Sequence, residues 1–241
     1  MLHLLRREVQ AAQEWANAEI VLSSEHGFVF FLAEATFLRG WALAEQGQRE
    51  EGIAQMRQGL AAWRAIGVEI GRAYYLALLA EAYGKAGQAE KGITVLAEAL
   101  TILDKSGERR WEAELYRLKG QLTLQQSKVQ SPRSKVEEAE ECFQKAIEIA
   151  RQQSAKSLEL RAVTSLSRLW QSQGKKDEAR QMLAEIYGWF TEGFDTADLQ
   201  EAKALLEELG EQGGRSRGRR KDVRQQTSAE TRRNAKTKKR E

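Results

Sequence analysis

Residues 78–100, LLAEAYGKAGQAEKGITVLAEAL, set Tyr83 four positions before Gly87 and two small residues, Gly92 and Ala99, after it, within an otherwise helix-forming run. Counting from Gly87, a small residue (Ala80) stands seven positions earlier, a second (Gly92) five later and an apolar one (Leu96) nine later. Forty residues upstream the same offsets give Gly40, Leu43, Gly47, Gly52 and Met56. Eighty-seven residues downstream they give Ser167, Trp170, Gly174, Ala179 and Leu183. The longer interval leaves room for one more copy carrying a seven-residue insertion. Gly120, then Ala139, Phe143 and Ala146 beyond SKVQSPRSKV, supply it. Four copies at one period identify a repeat protein.

The offsets have a physical reading. Each copy is two antiparallel helices joined by a tight turn, where Gly87 adopts a left-handed backbone at little cost and ends the first helix. Small residues fall where the two axes approach most closely, and large apolar residues fill the space beside them. One hairpin cannot bury its apolar faces alone, so stacking of neighbours must supply the core. The class expected is therefore all-α: a right-handed helical-repeat solenoid of four hairpins over 28–190. An unpaired helix from an incomplete preceding repeat (1–27) stands before it. After it come a C-terminal capping helix (191–210) and a basic tail (211–241).

The pattern resembles the tetratricopeptide repeat, with Ala80, Tyr83, Gly87, Gly92, Leu96 and Ala99 at the signature positions of the second copy. The period of 40 is longer than that family's 34, and its turn proline is absent, with RAIGVEI and DKSGERR in its place. Particular phrases carry a closer likeness: FLRGWALAEQGQ, GIAQMRQGLAAWRAIG, AELYRLKGQL, CFQKAIEIARQQSAKSLELRA and IYGWFTEGFDTADLQEAKALLEEL. They are similar to the C-terminal repeat region of bacterial signalling ATPases of the STAND/AAA type, which join such repeats to adenylate-cyclase or DNA-binding domains. The resemblance runs from about residue 8 to 209. It implies a sensor or interaction arm without catalysis of its own.

Composition agrees with the helical reading. The chain of 241 residues contains one proline, and 30% of its residues are charged. Apolar runs such as FVFFLA (28–33) fall far short of the roughly 20 residues a membrane helix needs. MLHLLRREVQ lacks the apolar stretch of a secretory signal. The single cysteine, Cys142, suits a reducing cytoplasm, which is the location expected. No phosphate loop or dinucleotide motif is present, and His3 and His26 read as helix-end residues. Glu137, Glu138, Glu140 and Glu141 read as a solvated helix start, with Glu141 pairing Lys145. No metal or cofactor is expected. The tryptophans read as packing residues, except Trp41, for which packing and ligand contact stay open.

The function expected is a non-catalytic scaffold for a protein or peptide partner. In the repeat pattern the first helix of each hairpin faces inward. That assigns Glu34, Phe37, Trp41, Tyr74, Glu81, Lys85, Glu114, Arg117, Gln121, Arg161 and Arg168 to a partner groove, aromatic at one end and basic at the other. At the N-terminus, Leu4, Leu5, Val9, Ala12, Ala16, Ile20 and Val21 follow helical spacing over about 3–24, and an unpaired face of this kind points to self-association.

Charge is divided unevenly. Residues 211–241 hold 12 basic and 4 acidic side chains, net +8, which leaves residues 1–210 at −5. Only Val223, Ala229 and Ala235 are apolar there, and no aromatic is present for base stacking. Nucleic-acid contact through 215–240 would be weak, sequence-blind and steeply salt-dependent. This alternative, an adaptor that uses its tail, predicts a gel shift at low salt by the full chain that a 1–210 truncation lacks. Equal shifts by both chains, or none by either, remove the tail from the functional account.

Overall fold

The computed structural model describes residues 2–69, 71–127 and 132–210. The basic tail, with its proposed nucleic-acid contact, lies outside the described residues. Described elements are α1 (Leu2–Leu5), α2 (Val9–His26), α3 (Val29–Glu45), α4 (Arg49–Ala65), α5 (Arg72–Lys85) and α6 (Ala89–Ser106). They continue with α7 (Glu112–Ser127), α8 (Pro132–Gln152), α9 (Lys156–Ser172), α10 (Lys176–Tyr187) and α11 (197–210). Four hairpins, α3/α4, α5/α6, α7/α8 and α9/α10, stack in chain order. Their first helices touch one another as an inner layer, and α11 closes the C-terminal end.

The small residues mark the crossing points. A Cβ added at Gly40 would stand 2.6 Å from the carbonyl oxygen of Gly52, and one at Gly92 would stand 2.9 Å from that of Ala80. At Gly120 the obstacle is the Ala139 carbonyl, again at 2.9 Å. In the fourth hairpin the Ser167 hydroxyl donates to the Ala179 carbonyl at 3.2 Å. Beside each crossing, Met56, Leu96, Phe143 and Leu183 are buried. The seven inserted residues go mainly into helix. Relative to the other hairpins α7 runs two residues further, to Ser127, and α8 starts four earlier, with Pro132 as its first residue.

Two kinds of turn recur along the described residues. Within hairpins, Gly47, Gly87 and Gly174 take positive φ, and the following residue donates back to Leu43, Tyr83 or Trp170 at 2.9–3.0 Å. Between hairpins, Gly27, Gly67 and Gly107 take φ of 70–74°, and the residues after Gly27 and Gly67 donate back to Ser23 and Trp63 at 2.9–3.0 Å. The fourth such turn is made by Ser154, at φ 55°, with the Ala155 N–H bonded to the Ala150 carbonyl.

Several expectations need correction. The N-terminal segment is two helices, broken where Arg7 adopts φ 59°. Trp15 and Trp189 are 68% and 58% exposed, so neither is a packing residue. Glu137–Glu141 lie inside α8, past its first turn, and Lys145 pairs with Glu148 rather than Glu141.

Backbone geometry yields a pair of opposite predictions. Ser154→Gly should stabilise the chain by about 0.5–1 kcal/mol by relieving a left-handed residue that carries a side chain. Gly40→Ala should destabilise it by about 1–3 kcal/mol or more, because backbone must move. Denaturant unfolding at constant slope measures both; the same sign for the two would refute this account of the period.

Candidate functional site

The inner layer sets α5, α7 and α9 side by side, with α11 across their C-terminal flank. Glu114 on α7 is buried and receives both forks of Arg117, one turn further along. Arg117 Nε donates to Oε2 at 2.9 Å and Nη2 to Oε1 at 2.8 Å. Arg161, from α9, reaches the same carboxylate at 3.0 Å and leans towards Asp198 of α11 at 3.6 Å. Arg168, one further stretch along α9, pairs with Glu201 of α11 at 2.8 Å. Lys85 on α5 joins Glu81 at 3.2 Å and also Glu45 of α3. Arg117 donates additionally to Gln121 at 2.9 Å.

Of these side chains Glu81, Lys85, Arg117, Gln121, Arg161, Arg168, Asp198 and Glu201 line a cavity of about 460 Å³. Leu124, Val136, Phe143 and Leu169 add an apolar part to its lining. Thr164, Ser165 and Ser172 also line it, and each hydroxyl donates to a carbonyl of its own helix, leaving an oxygen able to accept. Volume and mixed lining suit a side chain or two of a bound segment.

Neighbouring charges settle the protonation of the buried groups. Burial alone pushes the Glu81 carboxyl up, but Lys85, Arg117, Arg161 and Arg7 together outweigh it and hold the group at about 2. Glu114 is also held below the usual carboxylate range, burial being overcome by Arg117 and Arg161. Burial disfavours the Arg161 cation too, yet Glu114, Asp198 and Glu81 raise its pKa further from neutrality. Glu81, Glu114 and Arg161 are thus fully ionised at neutral pH.

Of the residues assigned from sequence, Glu81, Lys85, Arg117, Gln121, Arg161 and Arg168 meet at this cavity, with Glu114 beneath them. The aromatic end behaves differently. Phe37 is fully buried, edge-to-face with Tyr75 at 4.9 Å, and is a core residue rather than a groove anchor. Glu34 accepts from the Tyr75 hydroxyl at 3.1 Å, away from the cavity. Trp41 and Tyr74 face inward but lie under α1. Leu4 is buried in their cluster, and the gap left between α1 and these rings is about 20 Å³. Tyr74 also stacks on Trp111 at 4.1 Å.

Sequence reasoning placed Leu4 on a free apolar face, whereas it is buried with Trp41 and Tyr74, and it missed Arg6 and Arg7. Arg7 lines the cavity and approaches Asp198 at 3.4 Å and Glu201 at 3.2 Å, while Arg6 reaches Asp195 at 3.0 Å. The available signal was weak: two arginines after an apolar pair, and two acids at i, i+3 on the polar face of α11.

No family model matches the chain. An uncharacterized protein of Rhizobium meliloti (strain 1021) is 29% identical over 147 residues, which cover 61% of this chain. The chain spans only 14% of that relative's length. Among solved structures, BtubC (BKLC) from P. vanneervenii has a TM-score of 0.57 at 18% identity, covering 89% of this chain and 92% of its own. A kinesin light chain-like protein of Podosopora anserina, built of nearly identical TPR-like repeats, has a TM-score of 0.52 at 19% identity, covering 77% and 91%. These likenesses define the fold as an all-α, TPR-like helical repeat. Among the described residues no helix is long and apolar enough to cross a membrane, and no cluster of His, Cys, Asp or Glu could hold a metal.

The charge network predicts acid sensitivity. Glu81 has its folded pKa below the ordinary 4.5, so its contribution is complete above 4.5 and is lost as pH falls towards 2. That contribution is on the order of 3 kcal/mol. The thermal midpoint should drop between about pH 5 and about pH 2, and Lys85→Met should make the drop shallower. An unchanged slope would mean that Glu81 does not feel Lys85.

Proposed function

We propose that the chain is a non-catalytic interaction scaffold whose concave groove binds a protein or peptide partner. It would serve as the sensor or interaction arm of a bacterial signalling ATPase or cyclase system. One observation carries this reading: an open cavity on the inner layer, lined by both ionised and apolar side chains, built by residues from five separate helices and the turn at Arg7. Such a surface offers paired charges, hydroxyls and apolar side chains for the recognition of a bound segment. The signalling context is supported by the phrases shared with the repeat arms of STAND-type ATPases. The much greater length of the Rhizobium relative agrees with a stretch of this kind forming part of a larger protein.

Affinity capture from lysate of the source cells tests the reading when wild type is compared with Arg168→Glu and Ser165→Trp, both at the open side of the cavity. Proteins specific to the groove should be depleted about tenfold by either change, corresponding to roughly 1.4 kcal/mol, with helical circular dichroism unchanged. A chain bearing ATPase or cyclase domains should be among them. Identical capture by all three chains would reject the groove as the binding surface.

A further inference from the structure

Beside the open cavity, the inner layer is covered at Trp41 and Tyr74 by a short segment that belongs to the chain itself. Helix α1 is four residues long, touches α2 and is followed by the turn at Arg7, with Leu4 and Leu5 set against Trp41, Tyr74 and Leu78 of the inner layer. Leu4 enters the apolar cluster of Trp41, Tyr74 and Leu78. Two residues on, Arg6 and Arg7 reach across to Asp195, Asp198 and Glu201 at 3.0–3.4 Å. The segment therefore makes the two kinds of contact a bound partner would make: an apolar side chain in an aromatic hollow, and guanidinium groups on carboxylates.

Three features mark it as releasable rather than as core. Leu2 and Leu5 are exposed, so one buried leucine is its main apolar anchor. The arginine pairs are partly open to solvent, where such pairs contribute little individually. Its hinge, Arg7, occupies a left-handed conformation that an L side chain rarely adopts, so opening relieves local strain.

From this geometry we infer that residues Leu2–Arg7 are a built-in occupant of the groove, and that the partner is a segment of the same chemistry: an apolar side chain followed closely by paired basic residues. The inference rests on the groove reading above and extends it to the partner's class. The receptor is defined on the chain. Trp41 and Tyr74 take the apolar residue, and Asp198 and Glu201 take the basic pair. A partner must displace α1, which in cis acts at an effective concentration on the order of millimolar.

The test uses a fluorescein-labelled peptide of the first ten residues, MLHLLRREVQ, titrated with full-length chains and read by anisotropy. Wild type should bind it weakly, because the site is filled in cis. A chain carrying Leu4→Asp with Arg7→Ser should bind it about tenfold or more tightly. The same chain with Asp198→Asn and Glu201→Gln added should lose that binding, as should a peptide carrying Leu4→Asp. Circular dichroism accompanies each titration. If Leu4→Asp with Arg7→Ser unfolds the chain, Arg6→Ala with Arg7→Ala, which keeps Leu4, carries the test with the same expectation. Equal or absent binding by wild type and the released chain overturns the inference. Unfolding of both released chains also overturns it, because an occupant that can leave cannot be indispensable to the fold. Groove variants that still deplete captured partners after a negative peptide result would leave the scaffold reading in place and remove only the strap.

Discussion

The contact between Gly40 and Gly52 sets the geometry on which the rest depends. Their backbones approach so closely that not even a methyl group fits at either position. The same approach is made by Ala80 with Gly92, Gly120 with Ala139 and Ser167 with Ala179. Close crossing fixes the angle within each hairpin, and a fixed angle repeated four times sets the rotation from one hairpin to the next. That rotation turns α3, α5, α7 and α9 towards a common concave face. Arg117 and Arg161 can then share one buried carboxylate although they come from different hairpins.

Much of this was legible in the residues, because a repeated contact leaves a repeated spacing. The crossing residues, the turn glycines and the apolar stripe of α11 at Leu199, Ala202, Leu205 and Leu209 all follow local periodicity. That Glu81, Lys85, Arg117, Gln121, Arg161 and Arg168 share one inward face was legible for the same reason, since their place in the repeat fixes the direction they face. What local spacing could not reveal was contact between distant parts of the chain. Trp41 and Tyr74 do face inward, but α1 covers them. Phe37 points the same way along the repeat and is still buried, because the aromatic rings of Tyr75 and Trp63 close over it. No periodicity in residues 28–190 bears on either fact.

The charged part of the cavity lining bears on specificity more than on stability. Arg7, Lys85, Arg117, Arg161 and Arg168 are matched by Glu45, Glu81, Glu114, Asp198 and Glu201, so this part has no strong net field. Removing ions of this kind from water is costly, and apolar residues of equal size would often hold the helices together as well. What the network adds is direction. A segment with one misplaced charge leaves a buried partner unpaired, which is penalised far more than a lost apolar contact. The apolar part of the lining is permissive by comparison.

A solenoid ordinarily couples each repeat only to its neighbours, so its ends are independent and fray first. Arg6 and Arg7 break that rule by joining the first described turn to α11, across 189–194 residues of chain. Loop closure over such a separation costs little more than over a short one, since the penalty grows only with the logarithm of length. A few part-exposed ion pairs and one buried leucine can therefore hold the clasp while the folded solenoid supplies both ends already in place. By the same reasoning the clasp is weak compared with the hairpin crossings, where backbone meets backbone. On the inference that the segment is releasable, opening it would uncover Trp41, Tyr74, Asp198 and Glu201 and leave the repeat-to-repeat contacts intact, so access to the proposed groove would be decoupled from the stability of the fold.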